Sequence, residues 1–105
     1  MANTLKKLAS AQLAAASGLL YTVPALTTTL VKEMWVCNTG AGVNAVTIRV
    51  AGDTVSKNIW DAVPLSSKET IQVAMNTVIE AAGTIHGFAT NANEVTVYFS
   101  GYESA

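Results

Sequence analysis

The feature that most constrains the fold of this chain is the alternation of apolar and polar residues in short segments. In VTIRV, residues 46–50, valine and isoleucine alternate with threonine and arginine, and VTVYFS, residues 95–100, repeats the pattern. Alternation with a period of two places the apolar side chains on one face of a β-strand. These two segments are therefore predicted to be strands, each with one face turned toward a core.

Glycine, asparagine, serine and proline separate the alternating segments. The turn cluster NTGAGVN, residues 38–44, is predicted to join two strands as a hairpin, and residues 80–83 and 90–93 are predicted to be further tight connections. Pro24 and Pro64 mark strand ends or edges, because proline donates no hydrogen bond to a ladder. About seven or eight short strands at this spacing predict an all-β fold, an antiparallel β-sandwich resembling a jelly roll.

One predicted strand, within residues 27–38, is apolar on both of its faces. The pattern places Leu30, Met34 and Val36 on one face and Val31, Trp35 and Cys37 on the other. Such a strand is either central in a sandwich or covered by a partner subunit. Trp35 is accordingly either a core anchor or an interface residue.

The N-terminal residues 1–18 are predicted to form an arm or a short helix ahead of a sandwich domain spanning residues 19–105. Leu5, Leu8 and Leu13 have near-helical spacing in an alanine-rich segment, and they are candidates for contact with a neighbouring molecule. Two lysines before the alanines loosely imitate a secretory leader, but polar residues interrupt the apolar run and favour an arm.

The composition favours protein partners over nucleic acid or membrane. Charged residues make up only 12% of the chain, so little charge must be desolvated when a surface is covered by a neighbour. The six basic residues are scattered and form no stripe that would neutralise phosphates. No apolar stretch approaches the roughly 20 residues that cross a bilayer.

Catalytic and metal-binding groups are sparse. His86 is the only histidine and Cys37 the only cysteine, and the acidic residues are isolated along the sequence. Cys37 and His86 could meet across a sandwich as a thiolate and imidazolium pair, but an apolar setting would keep the thiol inert. The sequence predicts no enzyme, no metal site and no cofactor.

Three aromatic residues are candidate interface residues. Trp60 lies beside Asp61, and Tyr98 and Tyr102 lie on the polar side of the predicted last strand. Exposed tryptophan and tyrosine are enriched at protein interfaces, and they also stack on sugars. These residues therefore suit a protein interface or a carbohydrate-binding module.

Three blocks of the chain resemble small virion structural proteins of tailed bacteriophages. They are LYTVPALTTTLVKEMWVCNT (residues 20–39), AVTIRVAG (residues 45–52) and VIEAAGTIHGFATNANEVTVYFSGYE (residues 78–103). The shared elements are strands and turns rather than catalytic motifs.

The resemblance implies an accessory virion protein, made in the host cytoplasm and then bound to the particle. A homotrimer on the capsid exterior, contacting the major capsid protein, is the leading expectation. A tail, baseplate or fibre-attachment component is an alternative, and a module that recognises host glycans is an alternative of another class.

Overall fold

The computed structural model describes residues 3–105, which form eight β-strands and one short 3-10 helix. The strands are β1 (Asn3–Gln12), β2 (Gly18–Thr22), β3 (Thr28–Asn38), β4 (Asn44–Val50), β5 (Asn58–Leu65), β6 (Thr70–Ile79), β7 (Thr84–Ala89) and β8 (Val95–Ser104), and the 3-10 helix is Val55–Lys57. No helix within these residues is long and apolar enough to cross a membrane.

The strands form two antiparallel four-stranded sheets. The first sheet has the order β1-β8-β3-β6 and the second has the order β2-β7-β4-β5. The pairs β1 with β8, β2 with β7, β3 with β6 and β4 with β5 retrace the chain as one long folded hairpin. Additional pairing of β8 with β3 and of β7 with β4 rolls that hairpin into the eight-stranded jelly roll. The predicted fold class is confirmed.

The hairpin predicted at residues 38–44 is wrong, because this turn crosses from one sheet to the other. β3 belongs to the first sheet and β4 to the second, and of all consecutive strands only β4 and β5 pair with each other. Asn38 and Asn44, at the two ends of the turn, are completely buried. The Asn44 side-chain amide donates to Asn38 Oδ1 at 3.1 Å, so the crossing is held by a buried amide pair.

The core lies between the inner faces of the two sheets. β8 and β4 contribute alternating buried residues, as predicted: Val95, Val97 and Phe99 from β8, and Val46, Ile48 and Val50 from β4. Burying one such side chain contributes about 1.5–3 kcal/mol, so these strands supply much of the driving force for folding.

A bulge in β3 corrects the predicted faces of that strand. The ladders of β3 with β6 and with β8 both pass from Val31 to Glu33, which leaves Lys32 without a partner. The extra residue shifts the alternation, so Val31 rather than Leu30 is buried with Met34. Leu30 therefore faces outward.

The N-terminal segment is a strand of the first sheet and not a helix. Residues 3–12 pair with β8 over the whole of β1, so they are part of the sandwich rather than a separate arm. Alanine is a strong helix former, but local propensity is a small effect, and pairing with β8 outweighs it. Residues 1 and 2 of the predicted arm lie outside the described residues.

Candidate interaction surface

The outer face of the first sheet presents four rows of side chains. Each row has one residue from β1, β8, β3 and β6, because the strands lie in that order. The rows are Gln12-Thr96-Cys37-Thr70, Ser10-Tyr98-Trp35-Gln72, Lys7-Ser100-Glu33-Ala74 and Leu5-Tyr102-Leu30-Val78. We call these residues together the outer face.

The last of these rows, Leu5-Tyr102-Leu30-Val78, is apolar across all four strands, and we call it the apolar row. Leu5 is 65% exposed and Val78 is 60% exposed, so the ends of the row offer most of their area to a partner. A shallow depression of about 360 Å³ adjoins it, lined by Thr28, Leu30, Tyr102 and Ser104. The row exists because the β3 bulge turns Leu30 outward.

An aromatic pair occupies the middle of the same face. Trp35 and Tyr98 are partners across β3 and β8, and they are 43% and 40% exposed. Of the two alternatives for Trp35, the core anchor is wrong. An exposed pair of large aromatic residues adds to the apolar row the side chains most enriched at protein interfaces.

The outer face carries little charge. Within its rows only Lys7 and Glu33 are charged, and the bulged Lys32 is exposed beside them. The Gln72 amide donates to Glu33 Oε2 at 2.6 Å, which satisfies one acceptor of that carboxylate. A partner covering this face would desolvate few charges, which favours association.

Three of the predicted interface residues lie on the outer face, namely Leu5, Tyr98 and Tyr102. Leu30 and Val78 complete the apolar row, but sequence reasoning missed them. Leu30 was grouped with Met34 and Val36 on one face of its strand, because alternation alone does not reveal a bulge.

Two predicted interface residues are wrong, because Leu8 and Leu13 belong to the core. They are 9% and 1% exposed. Leu8 is the extra residue of a bulge in β1, and Leu13 follows β1 and is anchored by its backbone N–H, which donates to the Val95 carbonyl at 2.8 Å. Of the three leucines with near-helical spacing, only Leu5 is therefore on a contact surface.

Trp60 lies away from the outer face, in a cleft between the edge strands β5 and β6. The cleft has a volume of about 210 Å³ and is lined by Met34, Ile59, Trp60, Val73, Ala74, Met75 and Thr77. Trp60 is half-buried and packs against the core. It therefore shares no surface with the two candidate tyrosines.

A polar cluster covers the outer side of the second sheet around Asp53. The Asp53 carboxylate accepts hydrogen bonds from Ser17 Oγ at 2.5 Å and Arg49 Nη1 at 2.9 Å, and His86 Nε2 lies 3.9 Å from it. The hydrogen bond from Ser17, followed by that from Arg49, lowers the pKa of Asp53. The cluster ties the β4–β5 loop to the residue preceding β2.

The arrangement of this cluster does not activate a nucleophile. Ser17 donates to the Asp53 carboxylate rather than to the imidazole of His86, whose Nδ1 lies 3.2 Å from Thr84 Oγ1. Cys37 lies in the first sheet and His86 in the second, on opposite outer faces, so the considered pair does not form. Residues 3–105 contain no group of three or more His, Cys, Asp or Glu side chains that could hold a metal ion.

A second polar cluster links β2 of the second sheet to β1, β3 and β8 of the first sheet. Tyr21 donates its hydroxyl proton to Glu103, and the same hydroxyl lies 2.8 Å from Thr29 Oγ1. Lys6 Nζ is 3.2 Å from the other carboxylate oxygen. Burial, followed by the bond to Glu103, raises the pKa of Tyr21 to about 12, and the hydrogen bond from Tyr21 lowers the pKa of Glu103. This cluster joins the two sheets.

Comparison with known proteins finds similarity at the level of the fold. No family model and no curated protein matches the chain. A chain in the structure of infectious bursal disease virus strain Gx matches with a TM-score of 0.50 at 12% identity, over 97% of this chain and 30% of that chain. A chain in the structure of strain Gt matches with a TM-score of 0.46 at 12% identity, over 96% of this chain and 32% of that chain. The present chain thus spans about a third of the virus chains it matches, and it shares the fold of that part of the Gx chain.

Proposed function

We propose that this chain is a structural protein of a virus particle and that it acts by packing its outer face against another virion protein. The observation that carries the proposal is the four-strand-wide outer face, with its apolar row and its exposed aromatic pair. An exposed, nearly uncharged surface of this width on a small domain is typical of an interaction site. The fold shared with part of a virus chain supports the viral setting.

Within that role we propose an accessory protein of a tailed-phage particle, bound to the exterior of the capsid. The support is the resemblance of residues 20–39, 45–52 and 78–103 to small virion proteins of such phages. Repeating one modest contact over a symmetric shell would strengthen attachment through avidity. Attachment at a tail, baseplate or fibre would use the same surface and differ only in the partner.

The geometry does not favour a carbohydrate-binding role. A sugar site needs aromatic platforms that converge with hydrogen-bonding groups on one pocket. Trp60 lies in the cleft between β5 and β6, whereas Tyr98 and Tyr102 lie in different rows of the outer face. The three candidate residues therefore do not form one site.

The proposal is tested on particles of the virus whose genome encodes the chain. We expect mass spectrometry to detect the wild-type protein in purified particles, and Leu5→Lys to reduce its occupancy at least about tenfold, because the substitution buries a charge in the interface. Val43→Lys is the matched control, since Val43 is 62% exposed but lies in the turn between β3 and β4. Its occupancy should equal that of the wild type.

Two results would contradict the role. One is that the wild-type protein is missing from purified particles. The other is that the Leu5→Lys variant is retained as fully as the control, which would exclude the outer face as the contact surface.

A further inference from the structure

The four free strand edges of the sandwich are not equally protected against pairing. Three of them carry features that discourage an added strand. Strand β1 has Lys6, Lys7 and a bulge. Strand β2 has only five residues and also contains a bulge. Strand β5 has Asp61, Pro64 and two irregularities in its ladder. The fourth edge strand, β6, lacks the charges and the proline.

β6 has ten residues, TIQVAMNTVI, none of them charged and none of them proline. Its single irregularity is at Asn76, which has a φ of 47° and interrupts the strand near its middle. Residues 70–74 therefore pair regularly with β3 on one side, Met75 continues their alternation, and the segment has no strand on its other side within the described chain. We call residues 70–75 the open edge.

The side chains of the open edge are incompletely covered. Ile71, Val73 and Met75 point toward the sandwich interior yet are only half-buried. The cleft between β5 and β6 adjoins them, and Ile59, which lines it, is 47% exposed. An additional strand beside β6 would pair the free backbone groups and cover these apolar side chains at the same time.

We propose that the open edge pairs antiparallel with the open edge of a second copy of this chain. The segment carries no charge, so bringing it against itself creates no like-charge repulsion. A two-fold axis perpendicular to the sheet opposes the two edges and joins the first sheets into one of eight strands. The cleft of each copy, with Ile59 and Trp60, then faces the half-buried side chains of the other.

This interface uses the backbone edge of β6, at the border of the outer face, and leaves the rest of that face free, so it adds to the proposed function. The two-fold axis leaves both outer faces on the same side of the joined sheet, so a dimer would present twice the docking surface. An interface that pairs one edge with itself closes at two copies. The trimer expected from the resemblance stays a prediction, and the open edge favours a dimer.

The test uses two lysine substitutions in the same row of the outer face. Gln72 lies on β6 and Ser10 on β1, both are exposed, and they occupy opposite edges of the first sheet. By light scattering after size exclusion, we expect the wild-type protein to have twice the mass of one 10.9 kDa chain. Gln72→Lys should weaken this association at least about tenfold, because edge lysines oppose strand pairing, and Ser10→Lys should leave it unchanged.

Amide exchange provides the structural readout. Backbone amides of residues 70–75 that are not paired with β3 should become protected as the protein concentration rises, whereas edge amides of β1 should not. A wild-type mass of one or three chains would overturn the proposal. Equal weakening by both variants would also overturn it, because it would indicate association through the outer face. These measurements need no particles, so their failure leaves the particle-binding test intact.

Discussion

The hydrogen bond between Tyr21 and Glu103 joins the two sheets, and it makes the stability of the protein depend on pH. Because the pKa of Tyr21 rises from 10.0 to about 12, its stabilisation is complete below about pH 10 and is lost as the pH climbs toward 12. The pKa of Glu103 is lowered from 4.5, so its contribution is complete above that value and is lost as the pH falls through the folded-state pKa.

We therefore expect Tyr21→Phe to reduce the free energy of unfolding by about 1 kcal/mol at neutral pH. The variant should also lose the decline in stability between about pH 10 and pH 12. Urea unfolding over a pH series measures both effects. Tyr102→Phe is the control and should stay within about 0.5 kcal/mol of the wild type. An unchanged alkaline decline in Tyr21→Phe would contradict the assignment.

At the scale of residues, the sequence predicted the orientation of a side chain only where the alternation of its strand is regular. Tyr98 and Tyr102 lie on the outward face because regular alternation from Val95 onward fixes their orientation. Leu8 and Trp35 were placed incorrectly or left open because their exposure depends on bulges. A bulge depends on the pairing of two strands, which one segment of sequence does not reveal.

Among the elements, β3 and its neighbour β8 approach each other closely at the β3 bulge. Opposite the β3 bulge lies Gly101 of β8, and a Cβ atom at this position would overlap the Leu30 carbonyl oxygen and come within 3.0 Å of the Lys32 nitrogen. Both are backbone atoms of the bulged strand, so neither can move without changing the ladder. Glycine is required here by close backbone approach.

Gly101→Ala should accordingly lower the free energy of unfolding by about 3 kcal/mol, the upper part of the range for overpacking. Denaturant unfolding monitored by tryptophan fluorescence would measure it. The matched control is Gly18→Ala in β2, where a Cβ atom would have no neighbour within 4 Å. Similar stability of the two variants would show that β3 and β8 adjust freely.

The strands themselves were predictable to different degrees. β4 and β8 follow a clear alternation and fold as expected. In β6 the polar pair Asn76 and Thr77 resembles a turn in the sequence, whereas in the structure Asn76 forms a bulge within one strand. β1 was missed because its alanine-rich sequence carries a local helix preference that only pairing with β8 overrides.

For the molecule as a whole, the buried amide of Asn38 holds one end of the sandwich together. Its Nδ2 donates to the carbonyls of Gly42 at 2.8 Å and Leu65 at 3.0 Å, and its Oδ1 accepts from the Gly40 N–H at 2.9 Å. The β3–β4 loop and the end of β5 thus meet on one side chain. Truncating it would leave several buried polar groups without partners.

Asn38→Ala should lower the free energy of unfolding by about 2–3 kcal/mol. The exposed Asn91 is a suitable control, because its hydrogen bond to Asn44 uses the backbone N–H and survives in Asn91→Ala. Thermal unfolding followed by circular dichroism would compare the two. A loss below about 0.5 kcal/mol for Asn38→Ala would mean that water replaces the amide.

The overall architecture was predictable as two packed sheets, but strand pairing was not. Residues 38–44 contain glycine and asparagine that suit a hairpin as well as a crossing between sheets, and the difference lies in the burial of Asn38 and Asn44. Which strands pair depends on contacts between distant parts of the chain. Alternation records only which face of each strand is buried.

The antiparallel pairing of β1 with β8 brings Asn3 opposite Ser104, so the start of β1 and the end of β8 lie side by side at one end of the first sheet. A pulling force applied between these ends would open the ladder one hydrogen bond at a time, as a zipper opens, instead of shearing all of its bonds together. The domain would therefore offer little resistance to tension applied between Asn3 and Ser104.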